Sequence, residues 1–306
     1  MHPKDVLNRQ AITLNQSQRA LYFEQGYLAL PEFIGHSQID SLREAMNRVI
    51  DLSREVSSSN QQFDLEHGHS KETPRLRRVA FVDDLDEQLW SLCANSVITD
   101  IAVDILGPDI RFRDLFINFK WAGGGAGVKW HQDIAFYPHT NVGTCQFLLA
   151  LEDVESAQGP LQVIPRSHKG PIYRHYDDNN DWKKDDWTKD EWTGAITDTD
   201  LATAGIDKAI ELTGKAGTLS VHHSCTIHGS AQNMSERGRP MLVITYSAAD
   251  AIPYTTPPYP SSHYGALVRG NQPRYAHHEE LNMPLPPDWS GGYTSIFTHQ
   301  DGLKNE

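Results

Sequence analysis

Cysteine is scarce in this 306-residue chain: Cys93, Cys145 and Cys225 are an odd number without CxxC spacing, which argues against a disulfide framework or a zinc knuckle. Positive charge is also short. Forty Asp and Glu against 27 Lys and Arg give a formal charge of −13, which repels phosphate backbones and anionic lipid, so neither nucleic acid nor membrane is an expected partner. No run of 18 apolar residues occurs, and the opening MHPKDVLNRQAITLNQ carries no apolar signal core. These absences lead to an expectation of a cytoplasmic protein with no membrane span and no export signal. The glycines of AGGGAG lack both the GK[ST] ending and the GxGxxG spacing, so they are read as a flexible entry loop and not as a nucleotide site.

What is present suits a folded globular chain, with 39% hydrophobic and 22% charged residues. Residues 1–107 read as mainly helical. QSQRALYFEQGY ends at a glycine, LALPEF then reads as a short extended segment, and Ile39, Leu42, Ala45, Met46 and Val49 lie at three- and four-residue intervals over His36–Ser53. A polar stretch then separates this helix from RVAFVDDLDEQLWSLCANSVITDIAVDIL, also read as helical. From 108 to about 250 the chain turns to short β-rich runs bounded by Gly, Pro and Asn, followed by a Pro- and Gly-rich irregular wrap over 251–306. The expectation is a single α+β domain with a β-sandwich or barrel at its centre. The acidic stretch over 174–194, with Trp182, Trp187 and Trp192, reads as an inserted surface loop or lid.

His131 and Asp133 stand two apart in KWHQD, and period-two geometry puts both on one face of an extended backbone. His228 follows 97 residues later in GTLSVHHSCTIHGS, where alternation groups His222, Ser224, Thr226 and His228 on one side. Two imidazoles and one carboxylate form the facial set of non-haem Fe(II) oxygenases, which leaves coordination positions open. A 2-oxo acid and O2 fill those positions, and the co-substrate's far carboxylate then needs a buried cation. Arginine suits that role through its planar fork. Arg239, 11 residues past His228 at the start of a strand, is the candidate, with Arg237 as its rival. His222 remains an alternative distal ligand, and a register shifted by one would offer His223.

NFKWAGGGAGVKWHQD, ALEDVESAQGPLQVIPRSHKG and GTLSVHHSCTIHGSAQNMSERGRP, within about 118–246, resemble the phytanoyl-CoA dioxygenase family of Fe(II)/2-oxoglutarate oxygenases. The resemblance implies a double-stranded β-helix (jelly-roll) core with the helical N-terminal region packed on it. It also implies iron on His131, Asp133 and His228, 2-oxoglutarate on Arg239, and further co-substrate contacts from Ser230 and Asn118. Because the carboxylate ligand is kept, it implies hydroxylation or another oxidation of a small molecule, with release of succinate and CO2, and not halogenation. Arg166 and the acidic insertion depart from the family pattern, so phytanoyl-CoA itself is not implied.

Trp130, Phe136 and Tyr137 flank the HxD pair and are candidates for the substrate wall, as is Arg77 among Arg75, Arg77 and Arg78. His139 reads as a polar loop residue. Two other functional classes share these features: a cupin-like metal isomerase or dioxygenase without a 2-oxo acid, and a non-catalytic binding module.

Overall fold

The computed structural model describes residues 2–176, 192–257, 260–286 and 296–301. Local capping sets the helix boundaries. After α1 (Pro3–Leu7), α2 (Gln16–Gln25) starts at Asn15, whose side chain accepts from the Gln18 amide while the Gln18 side chain accepts from the Asn15 amide. It stops at Gly26 in the left-handed region, where a Cβ would lie 2.3 Å from the His168 ring. Strand β1 (Tyr27–Leu30) follows, then α3 (His36–Ser53), whose expected apolar stripe is the buried face.

Next come β2 (Phe63–Leu65), β3 (Leu76–Ala80), α4 (Glu87–Ala94), α5 (Val97–Leu106) and the long strand β4 (Ile110–Asn118). β1 falls on the expected extended segment LALPEF, but β2 and β3 also join the large sheet, so the first third is less helical than expected. The stretch 78–106 was expected to be helical throughout, yet it opens in β3, where Leu76 and Val79 are buried and the backbone pairs with β2 and β4. Tertiary pairing outweighs the local helical spacing there. Glu87–Leu106 is apolar and long enough, by composition, to cross a membrane. In the fold it is two helices broken at Asn95 and Ser96, largely buried in the protein.

The remaining elements are β5 (Val128–His131), β6 (Thr144–Ala150), β7 (Leu161–Val163), α6 (Asp198–Ala204), β8 (Ile210–Leu212), β9 (Leu219–His223), β10 (His228–Ser230), β11 (Met241–Ala248), β12 (Leu267–Arg269) and α7 (Ile296–Asp301). They complete two antiparallel sheets. The large one runs β1-β9-β6-β11-β4-β3-β2, with β12 also on β4, and the small one runs β5-β10-β7-β8.

Alternation divides the central strands between two cores. Phe147, Leu149, Leu242 and Ile244 pack with α3, α4 and α5 on the outer face. Leu148, Ala150, Met241 and Val243 face inward to Leu161 and Val163 of the small sheet. Both faces of β6 and β11 are thus covered, which is why neither strand shows a polar alternation.

In β4 the register with β11 slips between Thr245 and Tyr246: Asp114 faces Thr245 and Phe112 faces Tyr246, leaving Arg113 as the extra residue of a bulge. Most of the charged stretch 174–194 lies outside the described residues, including Trp182 and Trp187. At its edges Tyr176 bridges to Trp192, which is buried against His175 and Phe136.

Candidate functional site

A cavity of about 240 Å³ opens between the two sheets. His131, Asp133 and His228 line it, brought there by different devices. His131 ends β5, and the extended Gln132 (φ −123°, ψ 126°) carries the chain into a single 3-10 turn at Asp133–Ala135, so the two-residue spacing does put both side chains inward. Gln132 points the other way. Its amide nitrogen donates to the Pro171 and Cys225 carbonyls and its oxygen accepts from the Tyr173 amide.

His228 begins β10 and pairs directly with His131 in the ladder. The expected single strand through His222 and His228 is two strands: β9 ends at His223, and a turn over 224–227 crosses from the large sheet to the small one.

Both ring orientations are fixed. Nδ1 of His131 lies 2.7 Å from the Lys129 carbonyl and Nδ1 of His228 lies 2.9 Å from the Thr226 carbonyl. A carbonyl only accepts, so each Nδ1 carries a hydrogen and each Nε2 faces the cavity. Those Nε2 atoms stand 3.7 and 3.5 Å from Asp133 Oδ1. Asp133 Oδ2 is taken by His222, whose Nε2 donates at 3.0 Å.

Burial pushes the Asp133 carboxyl up, but His228 and the His222 bond outweigh it and hold it well below the ordinary range. Burial and the neighbouring His228 keep His131 well below its ordinary value, hence neutral. His228 goes the other way: burial lowers it and Asp133 raises it more. The ligand atoms lie within 4.8 Å of one another, all three residues buried. Converging lone pairs, with backbone and His222 bonds on the outer sides of the ligands, fit a divalent cation of borderline softness.

A second cluster occupies one end of the cavity. Asn118 closes β4, Ser230 closes β10, and Arg239 precedes β11; all three line the space. The Arg239 Nε and the Asn118 Oδ1 are buried without a partner. Burial draws the Arg239 guanidinium down to about 10. Lys120 completes this end: its Nζ donates to Ser230 Oγ at 2.7 Å, to the Gly159 carbonyl at 3.3 Å and to the Ala231 carbonyl. Burial and Arg239 together pull this amine down to about 6. Gly159 makes the cradle possible, because with φ +62° it sits where a Cβ would lie 2.1 Å from the Ala231 carbonyl oxygen. A buried guanidinium with a buried amine beside it, and no carboxylate between them, makes a receptor for an organic anion.

The other sequence candidates separate. Phe136 lines the cavity and meets the His131 ring edge-on at 5.5 Å, and Tyr137 lines it too. Trp130 does not; it packs against the apolar cluster of Ile164, Ile196 and Ile227, because its place in β5 turns it away from the His131 side. Arg77 is also off the cavity, paired with Asp64 at 3.4 Å and set over Phe297, while its neighbour Arg78 lines the space above Phe116.

Arg237 is a half-exposed surface residue bound to Glu155 at 2.7 Å, which leaves Arg239 as the inward one. His139 is buried, not a loop-surface residue, with Nδ1 2.6 Å from the Tyr137 carbonyl and its pKa pulled to about 4 by burial and Arg113. His223 turns from the site toward His168 and Tyr22.

The AGGGAG segment is not a free loop. Buried Asn233 and its neighbours hold it: the Gly124 amide donates to the Asn233 carbonyl at 3.1 Å, the Asn233 amide to Gly125 at 3.0 Å, and the Gly123 amide to Ser235 at 2.9 Å.

Sequence reasoning missed Lys120, Arg113 and His222's role behind Asp133. A signal existed for Lys120: it stands two residues past Asn118, the spacing that keeps one face of an extended chain.

The model of the phytanoyl-CoA dioxygenase (PhyH) family matches residues 22–241. The chain is 30% identical over 292 residues to the Stutzerimonas stutzeri protein named "Probable alpha-ketoglutarate-dependent hypophosphite dioxygenase", covering 94% of this chain and 97% of that one. It is 29% identical to L-proline trans-4-hydroxylase of Streptomyces griseoviridis, covering 76% and 86%. The crystal structure of EctD from S. alaskensis with bound Fe superposes with a TM-score of 0.66 at 18% identity, covering 89% of each chain.

Proposed function

The chain belongs to the phytanoyl-CoA dioxygenase family, whose members matched here are 2-oxoglutarate-dependent oxygenases, and we propose that it holds Fe(II) on His131, Asp133 and His228 and 2-oxoglutarate on Arg239. With both bound, it hydroxylates or otherwise oxidises a small molecule. The observation that carries this reading is the orientation of the two imidazoles: each Nδ1 is tied to a backbone carbonyl, and each Nε2 is turned on Asp133 Oδ1. We also read the two facing sheets as a double-stranded β-helix, with the ligands at its inner walls; the facing inner cores support this.

Iron loaded with a 2-oxo acid supplies an O2-dependent two-electron oxidation, coupled to decarboxylation of the co-substrate to succinate. The chain's own residues do the rest. Lys129 and Thr226 carbonyls fix the histidine tautomers, and His222 keeps one Asp133 oxygen occupied, so that the other is offered inward. Arg239 takes the far carboxylate of 2-oxoglutarate. Ser230, its oxygen already accepting from Lys120, has its own hydrogen free to donate to that carboxylate, and Arg239 N–H groups and Asn118 flank it. Phe136 and the apolar residues around it keep water from the oxidising centre.

The test is anaerobic addition of Fe(II) and then 2-oxoglutarate, watching for the weak visible charge-transfer band of a chelated 2-oxo acid. We expect the band, weakened in Arg239→Ala. Iron binding without a band favours an oxygenase or isomerase that does not use the 2-oxo acid, and failure to bind iron refutes the assignment.

A further inference from the structure

The cavity has a second cationic end that the co-substrate does not use. Arg113 sits at the β4 bulge, which turns its side chain into the cavity among residues otherwise alternating in and out. From Asn118 and Met241 at the Arg239 end to the Thr245–Tyr246 step beside Arg113 is roughly 15 Å of strand, at about 3.3 Å per residue. The guanidinium is 11% exposed and lies 4.2 Å over the Tyr137 ring. Asp114 occupies Nη1, while Nε is buried with no partner; Asp114 Oδ1 and the Tyr137 hydroxyl are buried in the same way. An unpartnered guanidinium Nε lining the same cavity as an unpartnered hydroxyl offers an oxyanion two donors.

The charge balance points the same way. Among the described lining residues, Arg78, Arg113 and Arg239 stand against Asp114 and Asp133, an excess of one positive charge, three less two. A divalent metal and a dicarboxylate cancel each other. Lys120 adds little at neutral pH, being drawn down to about 6. In a chain of net charge −13, one positive charge is thus reserved inside the cavity. At about 240 Å³ the space is below the roughly 300–1,000 Å³ of ordinary ligand sites, and it must take co-substrate and substrate together.

We propose that the primary substrate is a small monoanion, a carboxylate or a phosphorus oxyanion, whose charged group is held by Arg113 with Tyr137, at the end of the cavity opposite Arg239. This rests on the reading of Arg239 as the 2-oxoglutarate anchor.

The test uses the anaerobic full-length enzyme with Fe(II) and 2-oxoglutarate. Acetate, propionate, hypophosphite and methylphosphonate are titrated while the visible band is followed, alongside neutral acetamide and zwitterionic L-proline; succinate release is then measured in air. A saturable band shift with at least one monoanion is expected. The carboxylate and phosphorus arms decide the source. Arg113→Met should weaken that binding more than tenfold with 2-oxoglutarate affinity unchanged, Arg113→Lys should recover part of it, and Tyr137→Phe, which removes only the hydroxyl, should weaken it several-fold.

Three results overturn the proposal: acetamide or proline binding more tightly than every monoanion, no monoanion shifting the band, or Arg113→Met leaving anion binding as it was. Absence of the band in the unsubstituted enzyme is a different failure. It removes the oxygenase premise and the proposal with it.

Discussion

His222 and Asp133 are joined by a 3.0 Å hydrogen bond on the carboxylate oxygen turned away from His131 and His228. The imidazole is buried, belongs to β9 of the large sheet, and reaches across to a ligand carried by the small one. It holds the carboxylate in one rotamer, so a metal meets an oriented ligand.

Replacing it should loosen the metal. Outer partners of this kind contribute about 10- to 100-fold in metal affinity. His222→Ala is expected to lower Fe(II) affinity in that range, measured by competition with a chelator, and His222→Gln, which keeps a donor, should recover part of the loss. Unchanged affinity in both would mean that Asp133 is positioned by the backbone turn alone.

Arg239 should not tolerate lysine. Its fork matches a carboxylate and its Nε is buried and unpaired, while an ammonium offers one point contact. The loss of a charge-assisted hydrogen bond is about 1.5–3 kcal/mol, or roughly 10- to 150-fold, so KM for 2-oxoglutarate should rise by that factor in Arg239→Lys with a smaller change in kcat. A kcat-only effect would place Arg239 elsewhere in the reaction.

Lys120 makes the stability of the ligand-free chain depend on pH. Its folded pKa of about 6 lies well below that of an unfolded lysine, about 10.4, so between these values the unfolded chain holds a proton that the folded chain has lost. Stability from this group therefore rises with pH across that window and is lowest below about 6, where the buried amine is charged. Melting curves from pH 6.5 to 9 should show the unsubstituted chain gaining on Lys120→Met as pH rises. Parallel pH profiles for the two chains would contradict this.

Gly159→Ala is expected to act on the same cradle. A Cβ there would overlap the Ala231 carbonyl oxygen, one of the Lys120 acceptors, at a positive φ that side chains rarely adopt. The variant should melt several degrees lower and bind 2-oxoglutarate more weakly, whereas an exposed control, Gly35→Ala, with open space around it, should not alter co-substrate binding. A Gly159→Ala protein with unaltered co-substrate affinity would separate the loop's packing from the site.

That His131 and Asp133 face one cavity was legible in the sequence because it rests on short-range geometry. Two residues two apart on an extended chain share a face whatever the fold, and His131 and Asp133 do. The inward place of Arg239 was legible for a similar reason, through its position just ahead of a strand.

Of the three N-terminal strands, β1 was legible as the extended segment LALPEF after the glycine, and β2 and β3 were not. FDL is too short to show a period, and LRRVA carries two arginines whose partners, Asp64 for Arg77 and Phe116 for Arg78, are set by the fold. Arg113 was hidden because a bulge breaks the alternation from which its direction would be read. His222 was grouped with His228 because the turn between them contains Ser224, Thr226 and Ile227, which continue a strand-like pattern while the backbone changes sheets.

The pairing of β1 with β9 carries a further consequence. Tyr27 lies opposite His222, so the backbone edge of the strand that bears the Asp133 partner is covered by a segment from the start of the chain. A protein shortened past Leu30 would leave that edge as a row of free amides and carbonyls on an apolar strand, the template on which chains add to one another. Such a fragment, however intact its metal ligands, is expected to be lost to self-association before any loss of iron could be measured.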